Sequence, residues 1–125
     1  MRILIVEDQS DVRRLLRMTL APLGWDVHET GNGAEAMRIT AELHPDVVIL
    51  DVMLPGEIDG YRVCQAIKAA PDTVGTYVII LSARGQRQDI EEGRRVLADH
   101  YMVKPFSPRE LIGVIRRAGG EEPEA

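Results

Sequence analysis

The fold of this chain is decided by residues 46–51, which read DVVILD. The run Val47–Leu50 is β-branched or aliphatic throughout, and such a run is typical of a strand that is covered on both faces. Residues 2–6, which read RILIV, have the same character. Acidic residues follow both runs at once, Asp51 in one case and Glu7 with Asp8 in the other. The sequence therefore predicts two buried strands that both end in acids.

Strand patterns alternate with helical patterns along the rest of the chain. Residues 25–29 alternate between apolar and polar side chains, as expected of an edge strand with one face in water. Strands are predicted over residues 2–6, 25–29, 46–50, 77–81 and 100–103, and helices start near residues 11, 32, 59, 86 and 107. The fourth helix is predicted to span residues 86–97.

The first helix illustrates the local signals. Ser10 or Asp11 is the predicted N-cap, and Pro22 predicts a kink or an early end of the helix. An apolar stripe that includes Leu15 is predicted to face the core, with Arg13 on the opposite side.

Strict alternation of strands and helices with short connections predicts a parallel sheet with helices on both faces. Because the first and third strands are buried and the second alternates, the flavodoxin-like order 2-1-3-4-5 fits best. The predicted fold class is therefore α/β, a doubly wound (βα)5 sandwich around a five-stranded parallel sheet. In such sheets ligands bind beyond the carboxyl ends of the strands, between the first and third.

Composition narrows the classes of function. The chain has 125 residues, 45% of them apolar, and a net charge of −5 without a basic stripe, so we expect no direct binding to nucleic acid. The apolar runs are too short to span a bilayer, and the first residues lack the layout of a signal peptide. We expect a cytoplasmic protein without a membrane segment. The single cysteine, Cys64, is interpreted as a buried apolar residue.

Five side chains follow the strand ends: Glu7, Asp8, Asp51, Ser82 and Lys104. Three carboxylates held together repel one another, and Mg²⁺, which prefers carboxylate oxygens and waters, would relieve the repulsion. A lysine at the same edge is explained by a second anion, for which a phosphoryl group is the natural candidate. A carboxylate is a competent nucleophile toward phosphorus. Each residue alone is ordinary, but the set predicts a phosphoryl-transfer site.

Three other classes of protein fit part of this pattern. A flavin-binding electron carrier of the same fold would need a hydroxyl-rich phosphate loop after the first strand, where this chain has Glu7 and Asp8. A dehalogenase-like phosphatase would need a second aspartate where Met53 stands. A domain of the same fold that only binds protein, without phosphorylation, should lack one of the acids or the lysine. The last class stays open as the alternative, because fold does not secure function.

Taken together, the motifs resemble the receiver domain of two-component response regulators from Ile3 to about Ala118. We assign residues 1–118 to the receiver domain and residues 119–125 to a flexible acidic tail or linker stub. The resemblance rests on five segments in order: residues 3–8 (ILIVED), 46–55 (DVVILDVMLP), 59–60 (DG), 78–83 (VIILSA) and 98–106 (ADHYMVKPF).

The resemblance implies a role for each site residue. Asp51 would be the phosphoacceptor, and Lys104 would pair with the phosphoryl group. The peptide bond between Lys104 and Pro105 would be cis. Mg²⁺ would be held by Asp8, Asp51 and the main-chain carbonyl of Met53, with Glu7 acting mainly through water. The chain would be a signalling switch, not an enzyme, with only self-catalysed phosphoryl transfer and autodephosphorylation.

The resemblance also implies a switch and its partners. Ser82 would move toward the phosphoryl group, and the ring of Tyr101 would swing inward and remodel the surface of helix four, strand five and helix five. The phosphodonor would be a sensor histidine kinase or a phosphotransfer protein, and an effector domain or protein would respond. A homodimer through the same surface is left open.

Two segments depart from the usual pattern. The loop over residues 55–60 is one residue longer than the common loop after the acceptor, and Leu97 stands where a glycine is normal.

Overall fold

The computed structural model describes residues 1–120 and shows the predicted alternation of strands and helices. A single sheet contains the five strands in the order β2-β1-β3-β4-β5, and every neighbouring pair is parallel. This confirms the predicted flavodoxin-like α/β fold. The elements are β1 Arg2–Val6, α1 Ser10–Leu20, β2 Asp26–Thr30, α2 Gly33–Leu43, β3 Val47–Leu50, α3 Gly60–Ala69, β4 Tyr77–Ser82, α4 Arg87–Arg95, β5 His100–Val103 and α5 Pro108–Ala118.

The sheet separates two apolar clusters because side chains alternate along each strand. In β3, Val48 and Leu50 face α2, α3 and the end of α4, whereas Val47 and Ile49 face α1 and α5. All four of these side chains are buried, as the run Val47–Leu50 predicted. Cys64 is buried in the first cluster, which confirms its interpretation as a core residue.

The first helix differs from its prediction in two ways. The N-cap is Gln9, not Ser10 or Asp11, because the carbonyl of Gln9 already accepts the N–H of Arg13 at 2.9 Å, so that Ser10 is the first helical residue. Leu15 is 50% exposed and does not belong to the buried stripe, which Leu16 and Leu20 form. The predicted early end at Pro22 is confirmed: α1 ends at Leu20 and a 3-10 turn follows over Ala21–Leu23.

The end of α4 comes earlier than the predicted residue 97. The helix ends at Arg95, and Leu97 has a φ of +68°, in the left-handed region that glycine favours. The N–H of Leu97 donates to the carbonyl of Arg94 at 3.0 Å, and that of Ala98 donates to Gly93 at 2.9 Å. This is the Schellman pattern, in which the chain leaves the helix through one left-handed residue.

The predicted tail is mostly outside the described part of the chain. Gly119 and Gly120 follow α5, and residues 121–125 lie outside the described residues.

Candidate functional site: an acidic cleft at the carboxyl edge of the sheet

The carboxyl edge of the sheet places Asp51 beside the acid pair that follows β1. The N–H of Asp51 donates to the carbonyl of Val6 at 2.9 Å, which extends the β1–β3 ladder by one bond. The N–H of Glu7 donates to the carbonyl of Thr30 at 3.0 Å and fixes the first acid to the edge strand. The backbone thus determines that these carboxylates meet at the crevice expected of this strand order.

Lys104 joins two of the carboxylates. Its Nζ lies 2.5 Å from Oε1 of Glu7 and 3.1 Å from Oδ2 of Asp51. The side chains are 17%, 2% and 8% exposed respectively, so this is a largely desolvated ion triad. The peptide between Lys104 and Pro105 is cis, as the resemblance implied.

Burial and charge shift the pKa values of Glu7 and Lys104. Burial raises the pKa of Glu7 above its ordinary range, and the negative charge of Asp51 adds to the rise, although the hydrogen bond from Lys104 opposes it. Burial alone would lower the pKa of Lys104, but its hydrogen bonds to Glu7 and Asp51 outweigh this and raise it. One ammonium group therefore faces more negative charge than it neutralises.

The donor set fits a hard divalent cation. Ligand atoms of Glu7, Asp8 and Asp51 all lie within 4.8 Å of one another, and Asp8 is exposed toward solvent. Oxygen ligands together with free positions for water are what Mg²⁺ requires. Met53 is adjacent, since its N–H donates to Oδ1 of Asp51 at 3.3 Å. The surrounding cleft has a volume of about 370 Å³ and is lined by Asp8, Gln9, Asp51, Met53, Leu54, Pro55, Ala83 and Lys104.

Ser82 and Tyr101 form a separate group that is linked through Arg84. The hydroxyl of Ser82 is fully buried and accepts the N–H of Arg84 at 3.1 Å. The hydroxyl of Tyr101 donates to the carbonyl of the same residue at 2.7 Å. The two predicted switch residues are thus connected by one residue of the β4–α4 loop.

The ring of Tyr101 lies against α4. A Cβ added at Gly93 would come within 2.8 Å of Cδ2 of that ring, so the absence of a side chain there makes room for it. Tyr61, which the sequence analysis did not single out, lies on the other side: its hydroxyl is 3.4 Å from that of Tyr101 and donates to the carbonyl of Asp89 at 3.0 Å. An aromatic residue directly after Gly60 was the available signal.

Gly60 is a second residue whose importance only the structure shows in full. A Cβ at this position would lie 2.0 Å from the carbonyl oxygen of Asp51 and 2.7 Å from Cα of Val52. Its N–H donates to the carbonyl of Val52 at 2.8 Å. Only glycine allows α3 to start this close to the loop that carries Asp51.

The family of the chain follows from a comparison of its sequence with sequence models of known protein families, one of which matches nearly the whole chain. The model described as the response regulator receiver domain matches residues 3–116. The chain belongs to the response-regulator receiver family. The receiver domain is a component of two-component signalling, and the resemblance to this family that the sequence motifs carried is thereby confirmed.

Similar proteins agree with this assignment. The chain is 42% identical to a protein named probable transcriptional regulator ycf27 from Porphyra purpurea, over 92% of this chain and 46% of that protein. It is 39% identical to the transcriptional regulatory protein ResD from Bacillus subtilis, over 94% of this chain and 49% of that protein. The chain thus spans about half the length of these curated relatives.

A solved structure with the same fold is the receiver domain of a sensor histidine kinase from Pseudomonas aeruginosa, which has a magnesium ion coordinated in its active site cleft. The two structures align with a TM-score of 0.88 and 28% identity, over 96% of this chain and 98% of that one.

The helices found between residues 1 and 120 are all too short or too polar to cross a membrane.

Proposed function

We propose that this receiver domain takes a phosphoryl group onto Asp51 in a magnesium-dependent reaction. The observation that carries the proposal is the position of Lys104, whose Nζ touches Oδ2 of Asp51 at 3.1 Å while two further carboxylates, Glu7 and Asp8, lie alongside. A lysine held against one acid in a cluster of acids suits a site that receives a second anion.

The chemistry is a direct displacement at phosphorus. A carboxylate oxygen of Asp51 forms the new P–O bond while the bond from phosphorus to the leaving group of the donor breaks, and the leaving group takes up a proton. Asp8 and Asp51, with the carbonyl of Met53, would hold Mg²⁺, and Glu7 would act through water. When bound, the ion supplies positive charge to the carboxylates and to the phosphoryl oxygens. Lys104 supplies it from the other side.

Signalling requires that the phosphorylated and free states differ in their contacts. We propose that the hydroxyl of Ser82 leaves the N–H of Arg84 and binds a phosphoryl oxygen. The carbonyl of Arg84 is held by Tyr101, so a movement of this loop changes the position of the Tyr101 ring on α4. The surface formed by α4, β5 and α5 then presents a different shape to its partner.

The partners proposed for the chain follow from its family. The donor is the phosphohistidine of a sensor histidine kinase or of a phosphotransfer protein, in the cytoplasm. The receiver passes the signal to an effector domain or protein, and the names of the relatives, which are transcriptional regulators, support an output of that class. We also propose a homodimer through α4, β5 and α5 as one way in which the receiver responds.

The test is intact-mass spectrometry after incubation with acetyl phosphate, with Mg²⁺ or with a chelator. We expect one phosphoryl adduct in the wild type with Mg²⁺, and none in Asp51→Asn. Asp46→Asn is a matched control, because Asp46 precedes the other end of β3 and binds the N–H of Arg2. An adduct that persists in Asp51→Asn overturns the assignment of the acceptor. No adduct under any condition favours the alternative, a receiver-like module that binds proteins without phosphorylation.

A further inference from the structure

Arg13 reaches from α1 to the backbone of the acid turn. Its Nη1 donates to the carbonyl of Glu7 at 2.7 Å and lies 3.5 Å from that of Asp8. The side chain is only 25% exposed, because it lies over the acid turn and does not extend into solvent. Glu7 and Asp8 lie between the end of β1 and the start of α1, so loop contacts, and not the regular ladder, fix their carbonyl groups.

Two neighbours hold the guanidinium in this place. Glu29 on β2 accepts Nε of Arg13 at 3.3 Å and also accepts Nη1 of Arg17 at 2.8 Å. Gly31 leaves the space in which the guanidinium lies, because a Cβ there would be 3.2 Å from Nη1 of Arg13 and 3.5 Å from the carbonyl oxygen of Glu7. The orientation of Arg13 is thus determined by an ion pair on one side and by the absence of a side chain on the other.

We propose that Arg13 is a positioning residue for the metal site: by binding the carbonyl of Glu7 it fixes the turn that presents the carboxylates of Glu7 and Asp8 to a cation. The proposal rests on the proposed function, because it concerns the same site. Groups that orient metal ligands through a second hydrogen bond typically contribute about 10–100-fold to metal affinity.

The charge of Arg13 and its hydrogen bond to the turn predict opposite effects on Mg²⁺ affinity when the guanidinium is removed. Loss of a positive charge near the acids strengthens their attraction for a cation, whereas loss of the hydrogen bond to the Glu7 carbonyl weakens binding by letting the turn move. Arg17 separates the two effects, because it binds the same Glu29 carboxylate and carries the same charge. Arg13→Met and Arg17→Met therefore make the same change in charge, but only Arg13→Met removes the bond to the acid turn.

The experiment is calorimetric titration of Mg²⁺ into the wild type, Arg13→Met, Arg17→Met and Arg13→Lys, with thermal unfolding as the check on folding. We expect Mg²⁺ affinity to fall about 10-fold or more in Arg13→Met and to stay near the wild-type value in Arg17→Met. We expect partial rescue in Arg13→Lys, since an ammonium group donates to one carbonyl but lacks the fork that also binds Glu29. At saturating Mg²⁺, the phosphorylation rate of Arg13→Met with acetyl phosphate returns toward the wild-type rate.

Equal Mg²⁺ affinities in Arg13→Met and Arg17→Met, or tighter binding in both, would overturn the positioning role and leave the proposed function intact. A wild type that binds no Mg²⁺ would instead contradict the proposed function itself. If Arg13→Met does not fold, Arg13→Gln and Arg17→Gln carry the same comparison, because glutamine is a good helix former without the charge: weaker Mg²⁺ binding in Arg13→Gln alone supports the role, and equal binding in the two variants overturns it.

Discussion

Leu97→Gly is predicted to stabilise the domain, although it deletes a large apolar side chain. Leu97 is the residue at which the chain leaves α4, and its φ of +68° is a conformation that L-residues adopt at a cost of about 1–2 kcal/mol. The side chain is 64% exposed, so its removal takes little apolar surface out of the core. The substitution therefore relieves backbone strain and loses little packing.

The size of the effect follows from two opposing terms. Relief of the left-handed conformation contributes about 1–2 kcal/mol, and the greater freedom of glycine in the unfolded chain subtracts about 0.5–1 kcal/mol. The midpoints of the two ranges, about 1.5 and about 0.75 kcal/mol, leave a net gain of about 0.75 kcal/mol in the free energy of unfolding, equivalent to an increase in Tm of about 2–4 °C for a domain of this size. The hydrogen bonds from the N–H groups of Leu97 and Ala98 are unchanged.

The assay is urea unfolding at equilibrium with Leu97→Ala and His44→Gly as controls. Leu97→Ala shortens the side chain but keeps the strain, so we expect no stabilisation. His44 also has a positive φ, of 49°, but histidine tolerates this region better than leucine, so His44→Gly should gain less than Leu97→Gly. If Leu97→Gly is no more stable than Leu97→Ala, the left-handed conformation at this position does not cost the protein stability.

Three further outcomes are expected. Gly60→Ala places a Cβ 2.0 Å from the carbonyl oxygen of Asp51, so we expect a loss of about 3 kcal/mol or more in chemical unfolding, or failure to fold; a loss under 1 kcal/mol would show that the contact is relaxed easily. The Cys64 side chain is fully buried and burial raises the pKa of its thiol to about 11, so alkylation by iodoacetamide at pH 8 should be slow in the native protein and fast in urea; equal rates in the two conditions would contradict the burial. Lys104→Met leaves Glu7 and Asp51 without their ammonium partner, so we expect the free energy of unfolding to fall by about 3 kcal/mol when a chelator is present and to recover in part when Mg²⁺ is present. Equal stability in the two buffers would contradict the excess of negative charge at this site.

Much of the fold was predictable because the local composition of each strand indicates whether the strand is buried on one face or on both. The runs at β1 and β3 are apolar throughout, and the alternation of β2 indicated the edge position that the sheet shows. What local patterns could not supply is the tertiary neighbourhood of a helix face. The periodicity that placed Leu15 inward does not say how wide the covered stripe is, and the structure leaves that residue half exposed.

The candidate site was predictable in its members and less so in its supports. Glu7, Asp8, Asp51 and Lys104 follow strand ends, so the order of the sheet alone brings them to one edge. The roles of Arg13 and Gly31 depend on α1 passing next to the end of β2, and no spacing in the sequence encodes that distance.

Phosphorylation of Asp51 is tested most directly by locating the acyl phosphate within the chain. The protein is phosphorylated with acetyl phosphate and Mg²⁺, reduced with borohydride so that an aspartyl phosphate becomes homoserine, and mapped by peptide mass spectrometry. We expect homoserine at position 51 and unmodified residues at positions 7 and 8, with no product in the chelator. Reduction at Asp8 or Glu7, or an equal yield without Mg²⁺, would contradict it.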